Sequence, residues 1–176
     1  VTDQGESTVA DTNGVKDVFL ARPFGTECAT SGLPALELVS IDTDGNVSNG
    51  ASFSPSVGAF KVSFASDASN LVSSDTNAVT DVFVRHLSTG NPFGTIRATT
   101  LASRSSDGEQ GNAASANPLI EPGGGTVVFD SAASNRVSGD TGGFRDIFVF
   151  DIEDQQTTRV SRNPLTGEAA DGDSRN

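Results

Sequence analysis

The residues whose spacing best suits chemistry recur as D-x-N-x-x-x-D: Asp11, Asn13 and Asp17, then Asp75, Asn77 and Asp81. A third copy keeps Asp140 and Asp146 but has Gly142 where the Asn stood. Calcium takes about six to eight oxygen ligands, and a short loop with acidic and amide oxygens at alternating positions could supply several of them. The same residues suit a turn in which the first Asp caps an Asx turn and the last orders the start of a strand. The spacing matches no complete ion loop and brings no bidentate Glu. Asp42, Asp44 and Asn46 resemble the opening of an EF-hand loop, yet no Glu stands at the twelfth position and the later copy reads SSDGE, so a hairpin turn is expected there.

Other reactive side chains are isolated. His86 is the only histidine and Cys28 the only cysteine, so an internal disulfide and a multi-cysteine zinc site are both excluded. Serines are plentiful, but no nucleophile-elbow pattern frames one of them, and no enzymatic machinery is expected. Ser69 with Asn70 and Ser134 with Asn135 recur in step; such side chains satisfy loop backbone groups or bind sugar hydroxyls. The chain carries 11 basic and 23 acidic residues, a formal net charge of -12, and that surface repels the phosphate backbone of nucleic acid. No stretch reaches the roughly 18 apolar residues of a membrane span, and the start has no basic region followed by an apolar run. The absence of any methionine suggests a processed chain or an excised segment.

These residues are placed by a repeat. DTNGVKDVFL, DTNAVTDVFV and DTGGFRDIFV begin at Asp11, Asp75 and Asp140, 64 and then 65 residues apart. KVSFASDASNLVSSD from Lys61 returns as TVVFDSAASNRVSGD from Thr126, and NGASFSP from Asn49 as NAASANP from Asn112. Each unit holds four short stretches of alternating apolar and polar residues, rich in Val, Thr and Phe, with Gly between them. In the middle unit they are expected at Ala51 to Pro55, Lys61 to Ala65, Asp81 to Leu87 and Thr95 to Ser103. An all-β chain of four-stranded antiparallel units follows, with a long-runged β-solenoid as the runner-up fold. Phe19, Phe83 and Phe148 share one phase, and with Phe64 and Phe129 they are the expected packing residues.

ASFSP, KVSFASDASNLVSSDTNAVTDVFV and its later copy resemble the TolB-type, WD-like β-propeller repeat of secreted bacterial proteins, a likeness that covers nearly the whole chain. His86 departs from the usual Asp at the end of the third strand, which Asp151 keeps. The resemblance implies β-propeller blades, a secreted, periplasmic or cell-surface setting, and a noncatalytic scaffold that binds proteins or glycans. The phase divides the chain into a half blade at 1–49 and blades at 50–112 and 113–176, one strand pair short of three units. Open edges of that kind invite pairing. The expected partner is therefore a second copy of the chain or the remainder of a larger propeller. The competing expectations are the propeller portion of a secreted hydrolase, with its chemistry elsewhere, and a calcium-stabilised adhesive repeat.

Overall fold

The computed structural model of the chain describes residues 12–22, 35–87, 98–140 and 143–175. Among them are ten strands and no helix: β1 (Phe19–Arg22), β2 (Ala35–Leu38), β3 (Ser52–Gly58), β4 (Lys61–Ser66), β5 (Asp81–His86), β6 (Thr99–Leu101), β7 (Ser115–Ile120), β8 (Thr126–Ser131), β9 (Asp146–Asp151) and β10 (Thr157–Arg159). Each strand pairs antiparallel with its neighbour in sequence. The result is a two-stranded sheet β1-β2 and two four-stranded sheets, β3-β4-β5-β6 and β7-β8-β9-β10. The fold is all-β, and the strands follow the two, four, four grouping that the repeat implies.

The first strand of the middle sheet runs further than the sequence pattern suggests. β3 continues through Pro55 to Gly58, where a turn had been expected from Ser56. The reason is a β-bulge: pairing with β4 shifts between Phe53 and Ser56, and pairing of β7 with β8 shifts between Ala116 and Leu119. Ser54 and Asn117 take positive φ at these bulges (53° and 52°), and Pro55 and Pro118 follow. A proline has no N–H to give to the ladder, so a bulge is where it does least harm. β6 is shorter than expected, and residues 95–97 lie outside the described residues.

Successive sheets stack face to face, because the middle sheet buries one set of side chains on the preceding unit and the other on the following one. On the upstream face of the middle sheet, Val62, Phe64, Phe83 and Leu101 pack against Val18 and Val39 beside the first sheet. Its downstream face puts Val82, Val84 and Ala102 against Ile120, Val127, Phe129, Phe148 and Phe150 of the last sheet. Phe64 stacks on Phe83 with centroids 5.9 Å apart, and Phe129 repeats the pair with Phe148 at 5.9 Å. Aromatic pairs at such offsets add about 0.5–1.5 kcal/mol beyond area burial.

Polar hooks fix the stacking. The Thr99 hydroxyl donates to the Ile41 carbonyl, and Thr157 repeats this one unit on by donating to the Arg104 carbonyl. At the opposite end, the Ala59 N–H donates to the Pro122 carbonyl and Lys61 Nζ to the Gly124 carbonyl. A Cβ on Gly124, whose φ is +74°, would sit 2.7 Å from the Ala59 carbonyl oxygen, so glycine is what lets the two turns touch.

Candidate functional site

Strand direction gathers the repeated polar residues at one end of the stack. There the loops 67–80 and 132–145, between the second and third strands, meet the connectors 39–51 and 102–114 that lead from one sheet to the next.

The Asp that opens the third strand of each unit is the centre of a polar clasp. Asp17 accepts from the hydroxyls of Ser40 and Ser48 (3.0 Å for the latter) and from Asn13 Nδ2 at 2.9 Å. Asp81 accepts from the Ser103 hydroxyl, from Asn77 Nδ2 at 2.8 Å and from Gln110 Nε2 at 3.1 Å. Asp146 accepts from the Ser161 hydroxyl. The three serines in turn accept backbone N–H groups of Val18, Val82 and Ile147, so each clasp ties the start of the third strand to the end of the fourth. Asn13 and Asn77 close Asx turns on the N–H of Val15 and Val79 and donate to the carbonyls of Ser48 and Gly111.

In the middle and last units the first Asp of the motif is bridged to the last by different side chains. Gln110 Nε2 donates to both Asp75 (2.8 Å) and Asp81. In the last unit Arg159 Nη1 lies 3.3 Å from Asp140 and 3.7 Å from Asp146. A neutral amide does in one unit what a guanidinium does in the next. The difference leaves Asp75 Oδ2 buried without a hydrogen bond. Burial, together with the charge of Asp81, pushes the Asp75 carboxyl above its ordinary value. Asp140 is also raised, by burial and by Asp146, against the pull of Arg159 and Arg136.

Arg136 stands where the previous unit has Leu71. It is 2% exposed, lies over the rings of Phe129 (5.3 Å) and Phe148 (6.0 Å), and donates to the hydroxyls of Ser131 and Ser115. Burial lowers its pKa to about 10, opposed by Asp81 and Asp140, so it is charged at neutral pH. Gly111 makes room for it: a Cβ there would sit 2.3 Å from Arg136 Nη2.

The motif residues are therefore brought together in three clasps, except that Asp11 and Gly142 lie outside the described residues, as does Cys28. Asn49 with Ser69 and Asn70, and Asn112 with Ser134 and Asn135, form matching knots between connector and loop. Asp42 accepts both N–H groups of Asn46, which closes the hairpin turn read from the sequence. As a calcium ligand set the clasps fit poorly: hydroxyl and amide donors converge on the carboxylate oxygens whose lone pairs an ion would need. Among the described residues, no three His, Cys, Asp or Glu side chains are grouped so as to hold a metal ion. His86 closes β5, with its Nε2 3.4 Å from the Thr100 hydroxyl; burial, then Lys61 and Arg85, lower its pKa.

Three kinds of clasp residue escape sequence reasoning. The serines Ser40, Ser103 and Ser161 recur after Val or Ala and were available as a signal. Gln110 and Arg159 come from different positions in the unit, so no repeat marks them. Above the clasps the loop end exposes hydroxyls and amides, among them Asn49, Ser69, Thr76, Asn112 and Ser134, beside the acidic Glu109.

Compared with models of known protein families and with curated proteins, the chain matches none. No helix among the described residues is long and apolar enough to cross a membrane.

Proposed function

We propose that this chain is a β-propeller segment acting as a noncatalytic scaffold in a secreted or surface setting, and that its loop end binds a protein or glycan. The observation that carries the reading is the repeated clasp. Three units devote the same Asp and Ser, two of them also the same Asn, to holding the loops in one conformation and leave hydroxyl and amide groups exposed above them. Rigid strands with polar loops gathered at one end are a common design for binding surfaces. The stacked four-stranded sheets and the sequence resemblance support the propeller assignment, and the chain's net charge of -12 favours a neutral or cationic ligand.

The test is binding to glycan and protein arrays by the wild type, by Ser73→Arg with Ser138→Arg at the exposed tips of the loops, and by Glu153→Arg at the opposite end. The loop-end variant is expected to lose the ligand and Glu153→Arg to keep it, both with unchanged circular dichroism. Equal binding by all three would overturn the assignment of the loop end.

A further inference from the structure

The last clasp holds two carboxyl groups in contact. Asp140 and Asp146 are 7% and 2% exposed, and their side chains are hydrogen-bonded to one another. A carboxylate offers only lone pairs, so this contact requires one of the pair to carry a proton and donate it. Two ionised carboxylates so close together and out of water would repel. Arg159 Nη1 lies 3.3 Å from Asp140 and 3.7 Å from Asp146, yet it hydrogen-bonds neither. Its charge eases the repulsion without taking the place of the proton. The middle clasp is built differently, because Gln110 Nε2 donates to both Asp75 and Asp81 and bridges them with an amide.

This pair lies where the middle and last units meet. The charged groups acting on Asp140 are Asp146 and Arg159, and Arg136, which Asp81 of the middle unit also draws. Arg136 packs against Gly111 of the connector 102–114, and its neighbour Asn135 donates to the Gln110 carbonyl of the same connector. The Ala132 N–H ties the start of the loop 132–145 to the Ala114 carbonyl, as Asp67 ties its own loop to Ala51. One joint earlier, Leu71 and Leu101 hold the positions of Arg136 and Arg159 and pack with Val18 and Val39. The same positions are apolar at one joint and ionisable at the next.

We propose that Asp140 and Asp146 share a proton that acts as a switch on this joint: held in acid, it keeps the loop 132–145 closed on the connector, and its release as pH rises loosens the two. The inference stands apart from any ligand at the loop end. Burial, then the charge of Asp146, raise the Asp140 carboxyl above its ordinary value. The stabilisation is therefore complete below the ordinary aspartate value and lost as pH rises through the folded one.

The test is carbon-13 NMR of the aspartate carboxyls in the full chain, with hydrogen exchange of the Ala132 and Asp67 N–H groups over the same pH series, corrected for the intrinsic pH dependence of exchange. One carboxyl of the pair is expected to titrate above the ordinary aspartate value, and protection of the Ala132 N–H to fall several-fold as it does. Asp140→Asn supplies an amide that donates to Asp146 at every pH. It should abolish the fall at Ala132 and leave Asp67 as in the wild type. Carboxyls that both titrate at or below the ordinary value would overturn the inference, and this wild-type measurement decides even where the variant does not fold. So would an Asp140→Asn protein in which Ala132 keeps the wild-type pH dependence.

Discussion

Val57 and Ile120 occupy the same position in successive sheets, yet Ile120 is 6% exposed and Val57 59%. Ile120 is covered by the downstream face of the middle sheet, and its N–H donates to the Ser56 hydroxyl across the gap. Val57 faces upstream, where the described first unit has only β1 and β2 and nothing opposite it. Ile120→Ala is therefore expected to cost about 2–4 kcal/mol in urea unfolding, and Val57→Ala under about 0.5 kcal/mol. Equal costs would contradict the stacking order.

The clasp at Asp81 leaves three donors stranded if it is removed. Asp81→Ala is expected to cost about 3 kcal/mol or more. Because the donors are the protein's own hydroxyl and amide groups, chelator and added calcium should both leave the thermal midpoint unchanged. A midpoint that falls with chelator would show that an ion, not Ser103 and Gln110, satisfies the carboxylate.

Asp75 gives a pH signature. Its folded pKa is raised, so the native state takes up the proton more readily than the unfolded chain does. The stabilising form is the protonated one, complete below the ordinary aspartate value and lost as pH rises through the folded value. Asp75→Asn mimics that form permanently. Melting across a pH series should show the variant more stable than wild type at neutral pH, with the gap closing in acid; a gap that widens in acid would refute the burial account.

Asp130 and Arg145 replace the Ala65 and Thr80 of the preceding unit. Asp130 is fully buried, so Arg145→Thr leaves its charge without its partner and should cost about 1–3 kcal/mol; Arg145 is partly exposed, which keeps the figure below that of a fully buried pair. Adding Asp130→Ala restores the middle sheet's residues and should recover most of the loss. A double variant as unstable as the single one would show that the ion pair itself, not the stranded charge, matters.

Much of this architecture was legible in the sequence. The period of D-x-N-x-x-x-D and V-x-F placed the strands of both complete sheets, because a repeated unit repeats its alternation and its turns. Strand ends were not legible where chemistry overrode pattern: Pro55 reads as a terminator, but a bulge carries the strand past it. The Asp and Asn of the site were legible as a motif but ambiguous in role, since the same oxygens serve an ion or a turn. What decides between them is Gln110 and Arg159, which reach the clasps through the folded connectors and leave no periodic trace.

The central claim is that the sheets are successive blades about a common axis. Small-angle scattering of the full chain tests it most directly, because a propeller and a solenoid stack the same sheets into different shapes. A compact, wedge-like distance distribution is the predicted result, and an elongated rod would contradict it.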